Sequence, residues 1–385
     1  MKFFDLFKKK NVVKVESKGY DNHLYCSLVH TNDYITLIHN ACKLCYNAKY
    51  EKDYEGMRTY VEKRCKTGHE SILEHSNIIM MLEVSKNYLG ELNEVISCCR
   101  YLNVKVSEGT DVDSIVYIGG SLRGFKHIVR TIKNPCNRVY KEIFNCLYEI
   151  DKVIFPDFIA EGIMDENKFI ERERQNCTQS TNREKYTIVN IDDVSVLGLD
   201  FYDLMDLATI TVKFTGVSRA CSHQLVRHRA GISQMSQRYV NGDKFEFVSP
   251  DEDKPELDSN KKYKIKIKGV EIEDTLSNLG NTINNSVYPK LVEQGLLKED
   301  ARAFLLNNTS TSLYMTFTLR GFIKFLELRG HKSAQAEIRN LAQSLEKDFI
   351  EECTLINESD NIYDYLLPYY EYKNKLDIKD ISEEM

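Results

Sequence analysis

The chain has 385 residues, 42% hydrophobic and 10% aromatic, with 18 Gly and 6 Pro. That balance excludes a linker-rich, collagen-like or disordered chain and supplies apolar material for two or three domains. Lys plus Arg (52) against Asp plus Glu (58) leaves a formal charge of −6, so no whole-protein positive field awaits a nucleic-acid polymer. The 11 Cys are odd in number, and MKFFDLFKKK puts its charge after its apolar patch, the reverse of a secretory leader. Reduced thiols in a cytoplasm are therefore expected. No run approaches the roughly 18 apolar residues of a membrane span, so no membrane partner is expected.

In chain order, 1–32 is expected to be an N-terminal arm, with five Lys between Lys8 and Lys18. The segment 34–47 reads as a helix, with Ile35, Leu37, Ile38, Ala41, Leu44 and Cys45 on helical spacing. Cys42 and Cys45 form a lone CxxC, read as helix packing and not as half of a metal site. A second helix is expected over 51–65, followed by Gly68-His-Glu-Ser71-Ile-Leu-Glu74-His75, where Ser71 and Glu74 have capping-box spacing. The pattern then predicts strands at 77–84, 103–107 and 115–119, and helices at 92–101, 122–133 and 138–150. Residues 166–185 are polar and read as a loop, and 186–191 as a short strand. A strand at 208–214 leads into a helix at 218–229, then a turn-rich charged stretch at 241–262. Helices follow at 272–293, 298–305, 319–328 and 334–352, while 311–317 is either a strand or the start of the next helix. The tail 361–385 is expected at the surface.

One echo runs through the chain. Ser121-Leu-Arg-Gly-Phe125 is matched by Thr318-Leu-Arg-Gly-Phe322, each opening a helix, and each is followed by Glu-Ile (Glu142-Ile143, Glu337-Ile338). Five gapped positions leave a degenerate duplication and coincidence both open.

The chemistry concentrates at 219–240, RACSHQLVRHRAGISQMSQRYV, which holds four Arg, two His and no acid. Like charges so dense normally interleave with Glu on a surface helix. Their isolation points to anions supplied by a ligand, which Arg forks bind in bidentate pairs. Gln224, Ser233, Gln234, Ser236 and Gln237 add neutral donors and acceptors suited to an amide-rich heterocycle. A solvated basic helix and a nucleic-acid patch are the other readings. The expected geometry is a helix through Arg229 and a loop from Gly231 folding back so that both line one pocket. Arg302, Arg320 and Arg329 follow downstream; the last two are nine apart and do not share one helix face.

Together these segments resemble the flavin-dependent thymidylate synthases. The signature appears as Arg227-His228-Arg229 followed by Ser236-Gln-Arg238-Tyr239. Gly68-His69-Glu-Ser71, the run-up Ser218-Arg-Ala-Cys-Ser-His-Gln224, Ala301-Arg302, Leu319-Arg320, Leu328-Arg329 and Ala334-Gln-Ala-Glu-Ile338 resemble the flanking blocks. The resemblance implies methylation of dUMP to dTMP, with methylenetetrahydrofolate as carbon donor, reduced FAD as hydride source, NADPH as reductant, and a homotetramer with shared sites. It places flavin contacts on Ser71, Arg227, His228, Arg229, Gln234 and Arg320, with His69 at the folate–flavin face. It places dUMP contacts on Gln224, Arg227, Gln234, Met235, Ser236, Arg238 and Arg302. Arg329 is its catalytic residue, a guanidinium beside N3 of the uracil that favours the ionised, nucleophilic ring. No metal and no cysteine nucleophile are implied.

Three departures stand out. Only six residues separate Arg229 from Ser236, and Thr318 stands where the family has Asn. Residues 85–204 have no family counterpart. The expected architecture is thus α/β (α+β), an antiparallel sheet flanked by helices: a core of 33–84 plus 205–360, enlarged by an inserted α/β subdomain at 85–204 that is itself a candidate half-copy. A catalytically inactive homologue with a nucleotide-binding or regulatory role and a basic nucleic-acid-binding module remain as alternatives.

Overall fold

The computed structural model describes residues 15–16, 24–48, 52–67, 69–107, 114–134, 136–150, 185–192, 199, 201–240, 245–254 and 256–356. Gly68, most of the 1–32 arm, nearly all of the 166–185 loop and the 361–385 tail lie outside these described residues.

The first half contains β1 (Val15–Glu16), β2 (Leu24–Thr31), α1 (Tyr34–Cys45), α2 (Tyr54–Lys66), a 3-10 helix (Glu70–His75) and β3 (Ile78–Val84). It continues with α3 (Leu89–Cys98), β4 (Asn103–Ser107), β5 (Ser114–Gly120), α4 (Leu122–Thr131) and α5 (Arg138–Ile150). The second half contains β6 (Tyr186–Ile191), α6 (Phe201–Leu207), β7 (Thr209–Ser218), α7 (Arg219–Leu225) and β8 (Gly231–Gln234). Then come β9 (Lys262–Ile267), β10 (Val270–Thr275), α8 (Leu276–Glu293), α9 (Lys298–Ala301), β11 (Ser310–Thr318), α10 (Leu319–Gly330) and α11 (Ala336–Ile356).

Among the described residues the strands form one five-stranded sheet, β1-β2-β3-β5-β4, one four-stranded sheet, β6-β7-β11-β8, and the β9–β10 hairpin. All pairings are antiparallel. The α+β class with antiparallel sheets flanked by helices is as expected.

Why the first sheet is so apolar follows from its position. In β3, Ile78, Met80, Leu82 and Val84 point into one core with Val116 and Ile118 of β5 and Phe125, Phe144 and Leu147 of the helices. Ile79 and Tyr117, on the opposite face, join the second core around Phe214, Phe317, Phe322 and Phe349. A strand buried on both faces reads as a continuous hydrophobic run, which its first five residues, Ile78–Leu82, do.

Four expectations need correction. The 84/85 boundary cuts through one sheet and one core: residues 33–84 pack with 85–150 about the first core and not as part of the second sheet. Ser71 and Glu74 form no capping box, because the turn is a 3-10 helix whose preceding residue, His69, makes no side-chain cap. The 218–229 helix ends at Leu225, and the return from Gly231 is a strand, not a loop: it joins the edge of the second sheet by pairing with β11. Finally, 262–275 is a hairpin, with Lys268 and Gly269 both at positive φ (47° and 87°) as a two-residue primed turn requires. The alternation Tyr263, Ile265, Ile267 was its signal.

Candidate functional site

The site forms where α7 runs into β8. Ser218 caps α7, accepting from Cys221 N at 2.9 Å, and is itself gripped by buried Glu337 of α11, whose Oε1 takes the Ser218 amide at 2.7 Å. This fixes the start of α7. At its far end, Arg329 of α10 donates from Nε to His228 Nε2 at 2.9 Å and from Nη2 to the Gln224 carbonyl at 3.3 Å. Burial, and then the Arg329 charge, push His228 down to about 4, so the ring is neutral at pH 7. Phe325 meets that ring edge-on at 5.2 Å. The Gln224 side chain bonds Gln335.

The chain then folds back. β8 pairs with β11 in a register that sets Gln234 opposite Leu313 and Gly231 opposite Thr316. Met235 N bonds Ser312 O at 2.9 Å and Ser236 N bonds Cys45 O at 3.0 Å, so the segment is held by both β11 and α1. Gln234 Nε2 reaches Thr311 Oγ1 at 3.5 Å.

The 3-10 helix closes the other side. His75, fully buried, bridges Ser233 Oγ through Nε2 and Thr316 Oγ1 through Nδ1, each at 2.9 Å. Burial holds its pKa down at about 3. The helix that carries Ser71 is thereby pinned to β8 and β11, with His69 immediately before it. His69 Nδ1 lies 3.4 Å from Tyr46 Oη, and Tyr46 packs against Tyr239 at 5.3 Å between ring centroids. Burial and nearby Arg64 lower the His69 pKa.

The structure thus gathers His69, Ser71, Gln224, His228, Gln234, Met235, Ser236 and Arg329 around one turn, with Arg227 and Arg229 exposed upon it. Arg238, also exposed, lies over the Tyr239 ring at 5.2 Å. Arg302 stands apart from Arg329, toward the start of α7, where Arg219 is its neighbour; burial and the Arg302 charge both lower Arg219's pKa. Arg320 differs from the rest: it is paired with Asp206 of α6 (Nε to Oδ1, 2.5 Å) and bonds the Tyr202 carbonyl at 2.8 Å. Among the described residues none of Arg219, Arg227, Arg229, Arg238, Arg302 and Arg329 has a carboxylate partner. Sequence reasoning gave no role to Arg219, Tyr46 or His75. The first stood in the acid-free window and the last in the Glu74-His75 step, so a signal existed for both; Tyr46 had none.

The profile of the family described as "Thymidylate synthase complementing protein" matches residues 165–353. Among curated proteins, flavin-dependent thymidylate synthase of Pyrococcus abyssi is 33% identical over 169 residues, covering 41% of this chain and 64% of the relative. The protein of the same name from Geobacter sulfurreducens is 35% identical over 150 residues, covering 38% and 59%. The chain therefore matches a little under two thirds of these relatives' length. Of solved structures, the Helicobacter pylori flavin-dependent thymidylate synthase complexed with FAD and dUMP aligns over 37% of this chain and 68% of its own, at 21% identity and a TM-score of 0.28, too low to argue from. Over residues 165–353, a little under half of its length, the chain is similar to the flavin-dependent thymidylate synthases.

Proposed function

We propose that the chain is itself a flavin-dependent thymidylate synthase, methylating dUMP to dTMP with methylenetetrahydrofolate as carbon donor. The carrying observation is the guanidinium set without carboxylates around the α7–β8 turn. Such a donor set fits the phosphates of a nucleotide and of FAD, since Arg pairs bidentately with phosphate oxygens. Bound FAD would supply the hydride, with NADPH restoring its reduced form.

The chain's own residues divide the work by position. Arg302 and Arg238 hold the nucleotide, joined by Gln224, Gln234, Met235 and Ser236 at the turn. Arg227, His228, Arg229 and Ser71 hold the flavin, with His69 at the folate face. Neutral His228 aims Arg329, whose Nη1 makes no hydrogen bond within the described residues and is left for the pyrimidine. A fixed cation there stabilises charge developing on the ring without reorganising. Arg320 would reach the flavin only by sharing or leaving Asp206. A cytoplasmic homotetramer is the assembly this reading carries.

The test is the absorption spectrum of purified protein with FAD. Bleaching by NADPH, followed by reoxidation with dTMP formation when dUMP and methylenetetrahydrofolate are added, is expected. Protein that FAD cannot reconstitute would refute the reading, and flavin that bleaches without dTMP would mark an inactive homologue.

A further inference from the structure

The two halves of the chain share one plan. Strand order β2-β3-β5-β4 in the first sheet is matched by β6-β7-β11-β8 in the second. Each first pairing carries its register shift at the same place: between Leu28 and His30 opposite Met80 and Ile79, and between Ile188 and Asn190 opposite Val212 and Thr211. Just beyond, Asn32 N bonds Asn77 O at 3.2 Å while Asn77 N bonds Asn32 Oδ1 at 3.0 Å. The matched pair does the same: Asp192 N to Thr209 O at 2.9 Å, Thr209 N to Asp192 Oδ2 at 3.0 Å. β5 and β11 each end in a hydroxyl cap, Ser121 taking Gly124 N at 3.3 Å and Thr318 taking Gly321 N at 3.1 Å.

The ion pair at the helix start recurs as well. Arg123 pairs with Glu74 and Arg320 with Asp206, and each acid lies four residues before the matched strand residues Ile78 and Ile210. Agreement in register, bulge, cap and charge pair is more than the echo in the sequence could show.

The halves also exchange parts reciprocally. The first half's 3-10 helix lies on β8, where a Cβ on Gly231 would come 2.6 Å from Glu74 O. In the second half, α6 lies on β4, where Asn103, the match of Gly231, donates from Nδ2 to Asp206 O at 2.6 Å. Residue i of one half meeting j of the other, and the reverse, is the pattern of a two-fold interface.

Only one of the two sites so related is equipped. Counting from the matched strands β4 and β8, Arg227-His228-Arg229 corresponds to Cys99-Arg100-Tyr101 and Gln234 to Val106. Along the matched helices Arg329 corresponds to Ile132, and Ser71 of the 3-10 helix to Asp203 of α6. Tyr101 and Val106 are exposed apolar surface, and Asp203 is an acid bound to Lys105 at 2.8 Å. Of these matched positions only Arg100 offers a guanidinium, so no set of forks converges on an anion there.

We propose that the chain is an internal duplication in which the second half's site works with the 3-10 helix lent by the first, while the matched site of the first half binds no nucleotide. Residues 24–150 are then neither an insertion nor an idle copy: they deliver His69 and Ser71, and His75 and the Glu74–Arg123 pair position them. This rests on the proposed function, and the test separates the two.

Full-length protein saturated with FAD is titrated with dUMP by calorimetry. One equivalent per chain is expected, lost in Arg238→Ala and unchanged in Tyr101→Ala. Two equivalents per chain, or loss of binding in Tyr101→Ala with the fold intact by circular dichroism, would overturn the one-site duplication and leave the proposed chemistry standing. No dUMP or FAD binding by folded protein would overturn the proposed chemistry, and this inference with it.

Discussion

Arg329 Nε donates to His228 Nε2 at 2.9 Å, and this fixes the imidazole's tautomer. A guanidinium offers only donors, so Nε2 carries the lone pair and the ring proton sits on Nδ1. With its pKa at about 4, His228 is an acceptor that aims the guanidinium and not a second cation repelling it.

Arg329→Ala is therefore expected to abolish turnover while the protein keeps its flavin. Arg329→Lys keeps the charge but loses the planar fork that meets both His228 and the Gln224 carbonyl, and a loss of at least about tenfold, ~1.4 kcal/mol in the barrier, is expected. Steady-state kinetics alongside flavin absorbance check both; full activity in Arg329→Ala would remove the role assigned to it.

His75 makes stability depend on pH. Its folded pKa, about 3, lies far below the ordinary value near 6.5. Above 6.5 neither state binds the proton and there is no dependence. As pH falls from 6.5 toward 3 the unfolded chain is protonated first, so stability is lost by up to about 1.4 kcal/mol per pH unit. His228 adds to this down to about pH 4. Urea midpoints between pH 7 and 5 should fall, and fall less steeply in His75→Gln.

The strands and helices were legible where one period dominated: Ile78–Leu82 as an unbroken apolar run, Leu319–Gly330 as an amphipathic helix. The cationic site was legible because Arg without acid is conspicuous locally. Relations between distant segments were not legible. The pairing of Arg320 with Asp206 and the bridge from His75 to Ser233 and Thr316 span 114 to 241 residues, and no local pattern encodes them. The short α7 escaped for another reason. Arg227 to Arg229 suit a helix, yet the pairing of β8 with β11 ends it early, as tertiary contacts override propensity.

Thiol reactivity should follow burial. Cys136 is exposed, while Cys26, Cys42, Cys146 and Cys221 are buried. Burial pushes Cys45 up to about 11 and Cys99 to about 12, far from the thiolate that alkylation needs. Iodoacetamide on native protein is expected to label Cys136 ahead of these, by peptide mass spectrometry, with activity unchanged. Inactivation in step with Cys136 labelling would contradict a cysteine-independent site.

Gly231 is where the first half's backbone meets β8. A Cβ there would sit 2.6 Å from Glu74 O and 2.8 Å from Glu74 Cβ, neither of which is the end of a flexible chain. Gly231→Ala should cost about 1–3 kcal/mol and weaken FAD binding together, by displacing the 3-10 helix. Gly90→Ala, with nothing within 4 Å of the added carbon, is the control and should be neutral or slightly stabilising. Equal melting temperatures for both variants would refute the close approach.

Arg219 and Arg302 confront each other with no carboxylate between them among the described residues, and Arg219's pKa is lowered by burial and by that neighbour. Arginine does not deprotonate to escape, so the ligand-free protein carries the repulsion as a standing cost. An anion that binds here binds only the folded chain and stabilises it by RT ln(1 + [L]/Kd), about 2.7 kcal/mol at a hundredfold excess over Kd. Arg302→Gln is expected to melt slightly higher than wild type without ligand and to lose most of the gain from dUMP. Removing one exposed cation while keeping the Nε-like donor geometry of an amide separates charge from packing. Equal stabilisation of both proteins by dUMP would place the phosphate elsewhere, and a lower ligand-free melting temperature in the variant would show that Arg302 supports the fold and not an anion.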